Sequence, residues 1–133
     1  MLEHLSLHHI GIATKSIERS KQSYQKLGYT ATKTVYDPNQ KVNISFLSRE
    51  NSLLLELIEP ATEDAPVNNI LKRSGTTPYH LCYETDGIER QIAQLKQEKF
   101  LILQQPIAAP ALNHRKISFL FHRYIGLIEL VEK

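Results

Sequence analysis

Apolar and polar positions follow the same order twice along this chain. Runs rich in β-branched and aromatic residues predict strands, and the i, i+4, i+7 spacing of Ile88, Ile92 and Leu95 predicts an amphipathic helix. The predicted elements are strands at about 7–13, 30–36, 41–48 and 52–59 with a helix at 17–27, then strands at about 79–84, 101–105, 115–121 and 125–132 with a helix at 88–98. Ser16 and Asp86 are the predicted N-caps of the two helices. The chain is therefore predicted to contain two βαβββ modules.

The two modules share sequence as well as element order. Residues 44–60, ISFLSRENSLLLELIEP, return without a gap as residues 117–133, ISFLFHRYIGLIELVEK, which aligns Glu56 with Glu129 at an offset of 73. Upstream, an offset of 71 places His9 on His80. We interpret the chain as a tandem duplication, with module one at about 1–60, a polar link at 61–77 and module two at about 78–133. The predicted class is α+β with a mostly antiparallel sheet, and residues 61–78 and 106–110 are predicted to be loops that border a binding site.

Composition and charge exclude several classes of protein. The formal net charge of +2 is too small to indicate a nucleic-acid or anionic-membrane partner, and no apolar run approaches the roughly 18 residues of a membrane-spanning helix. The first residues, MLEHLSLHH, lack the basic region and apolar core of a signal peptide. The single cysteine, Cys82, excludes an intrachain disulfide and fits a reducing compartment. We therefore expect one cytoplasmic domain over residues 1–133, with no membrane or nucleic-acid partner.

Four residues of metal-binding type occupy matching positions in the two modules, and they are His9, Glu56, His80 and Glu129. Because side chains alternate between the faces of a strand, a pseudo-twofold duplication would bring the equivalent faces to one cleft. Two imidazoles and two carboxylates suit Zn, Ni, Co, Mn or Fe(II), and a cation offsets the cost of a glutamate in an apolar strand. The alternatives are core histidines and solvent-facing glutamates kept in both copies by ancestry. The recurrence of both residue types favours the metal site.

Four short segments follow one another in the order typical of a known family. They are His-Ile-Gly-Ile-Ala at 9–13, Leu-Glu-Leu at 55–57, Tyr-His-Leu-Cys-Tyr-Glu at 79–84 and Ile-Glu-Leu-Val-Glu at 128–132. Together they resemble the vicinal oxygen chelate superfamily, which includes glyoxalase I and methylmalonyl-CoA epimerase. The resemblance implies paired βαβββ modules that close a cup-shaped sheet around one divalent metal, and it assigns the ligands to the four residues named above. It also implies a homodimer, and Ni, Zn or Co as the ion, with Mn, Mg and Fe as further candidates.

The resemblance implies an enzyme that transfers a proton next to a metal-bound carbonyl. Our first expectation is a glyoxalase I-like lyase of the lactoylglutathione lyase type, which converts the hemithioacetal of a 2-oxoaldehyde and a thiol into a thioester. Glu129 is the candidate base and Glu56 the second candidate. The alternative is a methylmalonyl-CoA epimerase-like isomerase acting on an acyl-CoA, which needs a second acid or base. Asp37 is the nearest candidate for that role, although its place before Pro38 is typical of a turn residue.

Two other functions fit the sequence less well. An extradiol-type dioxygenase of this superfamily uses two histidines and one glutamate, so Glu56 argues against it. A non-enzymatic small-molecule binding protein of the same fold lacks the metal ligands. Candidates for holding the anionic tail of glutathione or coenzyme A are Arg115, Lys116, Arg123, Lys72 and Arg73, although solvated surface cations are the favoured interpretation of these residues.

Overall fold

The structure, a computed structural model, describes residues 5–133. Residues 1–4, part of the segment on which the signal-peptide prediction rests, lie outside the described residues. The chain divides into two compact units, one of residues 9–79 and one of residues 5–8 together with 80–133. We call them the His9 unit and the His80 unit, after the candidate ligand that each contains.

The His9 unit contains the elements of the first module and one helix from the link. Its elements are β1 (Ser6–Ala13, of which residues 9–13 belong to this unit), α1 (Ile17–Gln25), β2 (Thr30–Ala31), β3 (Val35–Asp37), β4 (Val42–Ser48), β5 (Leu55–Pro60) and α2 (Val67–Ser74). The strands lie in the order β2-β4-β5-β1, and β3 also pairs with β4. The β1–β5 pair is parallel and the other pairs are antiparallel.

The His80 unit repeats this arrangement. Its elements are β6 (Thr77–Thr85, of which residues 80–85 belong to this unit), α3 (Ile88–Gln97), β7 (Leu101–Ala109), a 3₁₀ turn (Pro110–Leu112), β8 (Arg115–His122) and β9 (Gly126–Glu132). The strands lie in the order β6-β9-β8-β7, parallel between β6 and β9 and antiparallel elsewhere. The α+β class and the two βαβββ modules are confirmed.

Three local predictions are wrong. The link at 61–78, predicted as a loop, contains α2, because Val67 and Leu71 lie one helical turn apart and both are buried. The strand predicted at 30–36 is split into the shorter strands β2 and β3. The loop predicted at 106–110 is occupied mostly by β7, which stays paired with β8 across two register irregularities.

The two predicted N-caps have different outcomes. Ser16 caps α1 as predicted, since its side-chain oxygen accepts a hydrogen bond from the backbone N–H of Arg19 at 3.2 Å. The N-cap of α3 is Gly87 rather than Asp86, and Gly87 has no side chain with which to cap the helix.

A carboxylate from the last strand of each module also holds the N-terminus of the module's first helix. The backbone N–H of Ile17 donates to Glu59 Oε1 at 2.9 Å, and that of Ile88 donates to Glu132 Oε2 at 2.6 Å. A carboxylate at this position is favourable because the first N–H groups of a helix lack partners within the helix. The bond ties each helix to the strand that carries a candidate metal ligand.

The helix of each module packs on one face of that unit's sheet. The buried core is Ile12, Ile17, Leu47 and Leu57 in the His9 unit, and Ile88, Ile92, Leu95, Leu120, Ile128 and Leu130 in the His80 unit. Burying one such side chain contributes roughly 1.5–3 kcal/mol. Leu57 and Leu130 each directly follow a candidate ligand, Glu56 and Glu129, so the ligands lie on the opposite face of the sheet. We call that opposite face the ligand face of each unit.

Candidate metal centre

In the His9 unit, parallel pairing of β1 with β5 brings the first two candidate ligands into contact. Gly11 of β1 pairs with Glu56 of β5, and His9 is two residues before Gly11, on the same face. His9 Nε2 lies 3.1 Å from Glu56 Oε1. His9 is 0% exposed and Glu56 is 3% exposed, so the contact is excluded from bulk water.

In the His80 unit, β6 and β9 reproduce the contact at the equivalent register. Cys82 of β6 pairs with Glu129 of β9, and His80 is two residues before Cys82. His80 Nε2 lies 3.2 Å from Glu129 Oε1, and both residues are buried. The structure therefore joins His9 to Glu56 and His80 to Glu129, each pair within its own unit.

An aromatic ring stands beside each of these pairs. Phe46 of β4 pairs directly with Glu56, and its ring meets the His9 ring edge-on at a centroid distance of 5.4 Å and an interplanar angle of 79°. In the His80 unit, Phe119 of β8 pairs with Glu129 and meets the His80 ring at 5.4 Å and 90°. Sequence reasoning missed both rings, although the repeated Ile-Ser-Phe-Leu that contains them was the signal.

The chemistry of these side chains fits a divalent metal. A buried carboxylate is costly unless a positive group or several hydrogen-bond donors meet it. Each of the four residues offers one ligand atom, an imidazole nitrogen or a carboxylate oxygen, and each is buried. Nitrogen and oxygen donors of this kind are those that Zn, Ni, Co, Mn and Fe accept. A cation is thus the group that both pairs are suited to bind.

Asp37 is the turn residue that its place before Pro38 indicates. It is 1% exposed, and its Oδ1 accepts hydrogen bonds from the backbone N–H groups of Asn39 at 2.9 Å and Gln40 at 3.2 Å. The side-chain amide of Gln40 donates to Oδ2 at 3.0 Å. Three donors therefore hold the carboxylate within its own turn, which counts against a role for Asp37 as a second acid or base.

The basic residues considered for an anionic tail are engaged in different ways. Lys116 donates to Glu89 at 3.0 Å, a contact that lowers the pKa of the Glu89 carboxyl and raises the pKa of the lysine ammonium. Arg123 lies over the ring of Tyr124, 4.9 Å from its centroid. Both contacts belong to surface residues. Among Arg115, Lys116 and Arg123, only Arg115 is half-buried, and it forms an ion pair with Glu84.

The sequence as a whole matches a known superfamily. The sequence model of the Glyoxalase/Bleomycin resistance protein/Dioxygenase superfamily matches residues 8–119. The chain belongs to this superfamily. It is 32% identical over 131 residues to YqjC, an uncharacterized protein of Bacillus subtilis (strain 168), and the match covers 95% of this chain and 91% of that protein.

Two further relatives are methylmalonyl-CoA epimerases. The human mitochondrial enzyme is 28% identical over 128 residues, which covers 93% of this chain and 72% of that protein. A structure of a single-substitution variant of the Streptomyces coelicolor enzyme in complex with 2-nitronate-propionyl-CoA superposes with a TM-score of 0.87 at 23% identity, covering 98% of this chain and 96% of that chain. At that identity the structural likeness establishes the fold and not the substrate.

The comparisons confirm the vicinal oxygen chelate resemblance and the fold that it implies. They agree better with the epimerase alternative than with a glyoxalase I-like lyase, since the human relative is a methylmalonyl-CoA epimerase. Among residues 5–133, the helices are all too short or too polar to cross a bilayer.

Proposed function

We propose that this protein is a divalent-metal-dependent enzyme that moves a proton at the carbon next to a thioester carbonyl, in the manner of an acyl-CoA epimerase. The observation that carries the proposal is the buried His–Glu contact, built at the same register in both units. The 28% identity to human methylmalonyl-CoA epimerase over 93% of this chain supports an acyl-CoA as the substrate class.

The proposed cofactor is one divalent ion held by His9, Glu56, His80 and Glu129 together. Ni, Zn and Co are the favoured ions, with Mn, Mg and Fe as further candidates. When bound, the ion supplies Lewis-acid polarisation of the carbonyl, which makes the neighbouring C–H more acidic.

The chain itself supplies the proton-transfer groups in this proposal. Glu129 is the base that takes the proton from the carbon, and Glu56 is the acid that returns a proton to it. An epimerase must return the proton from the opposite side and so needs a second acid or base, and the duplication supplies one carboxylate in each module. Phe46 and Phe119 each place an apolar ring against an imidazole, which fixes the ring orientation and limits the access of water.

A glyoxalase-type isomerisation of a thiol hemithioacetal is the second candidate. The observation that favours it is the engagement of Asp37 by three donors in its own turn. That engagement removes the acid or base outside the metal site that the epimerase alternative had considered. A glyoxalase reaction can shuttle the proton with a single carboxylate and does not need a second acid or base.

Paired assays test the two candidates. The protein is loaded with Ni, Zn or Co and incubated with methylmalonyl-CoA in D₂O, and deuterium at the acyl carbon is followed by mass spectrometry. In parallel, thioester absorbance is followed with methylglyoxal plus glutathione. We expect metal-dependent deuterium incorporation that falls by about 10²–10⁴-fold in Glu129→Gln, the range typical of a lost general base. Glu132→Gln, on the same strand, is the matched control and retains the activity.

The outcomes separate the proposals. Thioester formation without deuterium incorporation would transfer the assignment to the glyoxalase type. Failure of both reactions with metal-loaded protein would overturn both.

We further propose that the two modules and the link form one domain, that the protein is a homodimer and that it is cytoplasmic. Gel filtration with light scattering tests the dimer.

A further inference from the structure

The two copies of the duplicated module differ in charge at one pair of positions on the ligand face. In the His80 unit, Arg115 Nη1 donates to Glu84 Oε2 at 2.8 Å, and the side chains are 30% and 21% exposed. The offsets of 73 and 71 place Val42 and Ala13 at the equivalent positions of the first module, where both are buried. One copy therefore has two buried apolar side chains where the other has an ion pair.

The ion pair lies on the same face as His80 and Glu129. Along β6, Glu84 is four residues after His80, and along β8, Arg115 is four residues before Phe119, whose ring touches His80. Glu84 lies two residues further along the strands than Glu129, because Cys82 pairs with Glu129 and Glu84 pairs with Val131. Two residues correspond to about 7 Å, so a substrate at Glu129 would extend to the ion pair.

The guanidinium of Arg115 is fixed in place and retains donors. Its Nε donates to the carbonyl of Leu112 at 3.3 Å, and Nη2 lies 3.2 Å from His8 Nε2, which must accept because a guanidinium only donates. With Glu84, these contacts engage three of its five N–H groups, and the side chain is part-exposed. A guanidinium held by a fixed network loses little conformational freedom when it binds an anion.

We infer that Arg115 is a specificity-determining residue that binds an anionic group of the acyl-CoA substrate, with Glu84 weakening and orienting that interaction. The inference rests on the proposed function and adds the charge of the substrate. The metal-binding pairs are the same in both copies, whereas an acyl-CoA is different at its two ends. A feature present in one copy only is what distinguishes those ends. The anion is a carboxylate on the acyl chain or a phosphate of coenzyme A.

The test compares three substrates in binding and in turnover. They are methylmalonyl-CoA, 2-methylbutyryl-CoA, which lacks the acyl carboxylate, and methylmalonyl-pantetheine, which lacks the nucleotide phosphates. In Arg115→Gln we expect the Kd and KM of methylmalonyl-CoA to rise by roughly 10–100-fold with kcat little changed, since hydrogen bonds to charged groups are worth about 1.5–3 kcal/mol. Arg115→Lys should restore part of the affinity. Lys116→Gln, the neighbouring cation on the opposite face, is the matched control and should change neither value.

Glu84→Gln gives the sharpest result, because the inference predicts a gain. Removing the competing carboxylate should tighten binding of the anionic substrates several-fold, whereas an ion pair that only stabilises the fold would give unchanged or weaker binding. The double variant Arg115→Gln/Glu84→Gln avoids a half-buried unpaired carboxylate and should bind as Arg115→Gln does. If Arg115→Gln weakens binding of the two methylmalonyl compounds only, Arg115 binds the acyl carboxylate. If it weakens binding of the two CoA esters only, Arg115 binds a phosphate of coenzyme A.

Three results would overturn the inference: equal effects of Arg115→Gln on all three substrates, no effect of Arg115→Gln on any of them, or unchanged or weaker binding in Glu84→Gln. The Kd values are measured by calorimetry without turnover. Binding that depends on Arg115 with no deuterium exchange would therefore reject the proposed function and leave the anion site standing. Deuterium exchange that does not depend on Arg115 would reject the anion site and leave the proposed function standing.

Discussion

Replacing Glu129 with glutamine should separate metal binding from ordinary stability. The change keeps the size of the side chain and removes the charge that faces His80 Nε2 at 3.2 Å, in a position 2% exposed. Loss of a carboxylate ligand should weaken metal binding by at least the 10–100-fold typical of changes in outer-shell partners. A metal at about 1,000 times its Kd stabilises the fold by about 4 kcal/mol, and a 100-fold weaker site loses about 2.7 kcal/mol of that.

The assay is thermal unfolding with and without the metal. For a domain of this size, roughly 3–5 °C of Tm accompanies each kcal/mol, so the metal should raise the wild-type Tm by about 12–20 °C and that of a 100-fold weaker variant by about 4–7 °C. Without metal, Glu129→Gln should unfold at or above the wild-type temperature, because a charged carboxylate costs more to bury than a neutral amide of the same size.

The matched control for this prediction is three residues along the same strand. Glu132→Gln weakens the bond to the Ile88 N–H and should lower the free energy of unfolding by about 1–2 kcal/mol. The Tm should therefore fall by the same amount with and without metal. A metal-induced rise in Glu129→Gln equal to that of wild type would refute the assignment of Glu129 as a ligand. The assignment would also be refuted if Glu132→Gln reduced the metal-induced rise in Tm as strongly as Glu129→Gln does.

Three further predictions follow from the packing and the surface contacts. Leu130→Ala removes a fully buried side chain from the core under α3 and should cost about 2–5 kcal/mol of unfolding free energy, measured in urea. Asp37→Ala should lower the free energy of unfolding by about 1–3 kcal/mol through its lost turn hydrogen bonds, and the rate of deuterium exchange into methylmalonyl-CoA per folded molecule should stay unchanged. A large loss of that exchange would show that Asp37 acts in the reaction. Lys116 holds the pKa of Glu89 below its usual value of 4.5, so the pair stabilises the fold above the unfolded pKa and that stabilisation is lost as the pH falls through the folded pKa. Lys116→Ala should raise the Glu89 pKa in an NMR titration, and an unmoved pKa would contradict the contact.

Much of the fold followed from local pattern. The i, i+4, i+7 spacing at Ile88, Ile92 and Leu95 predicts α3, and all three side chains are buried in the core beneath it. The helix in the link was missed, because Val67, Ile70 and Leu71 give only about one turn of apolar spacing in a polar segment. Short periodic signals of that kind become decisive only when a neighbouring surface is present to bury them.

The candidate site was predictable as residues and not as contacts. Alternation along a strand assigns His80 and Glu129 each to one face of its own strand, since that alternation is a property of any extended chain. The distance between them depends on the parallel pairing of β6 with β9 and on the register of that pairing. A shift of one residue would move Glu129 to the opposite face of the sheet. The ion pair of Glu84 with Arg115 escaped notice for the same reason, since its members are 31 residues apart in sequence.

By itself, the sequence determined the duplication, the order of the elements and the identity of the residues able to bind a metal, because periodicity and repetition are properties of the chain. Only the tertiary structure decided which strands are neighbours, and therefore which imidazole meets which carboxylate and which carboxylate pairs with Arg115. Strand pairing joins segments far apart in sequence through backbone hydrogen bonds that are the same for every residue type. Local sequence pattern therefore leaves the partner and register of a strand open.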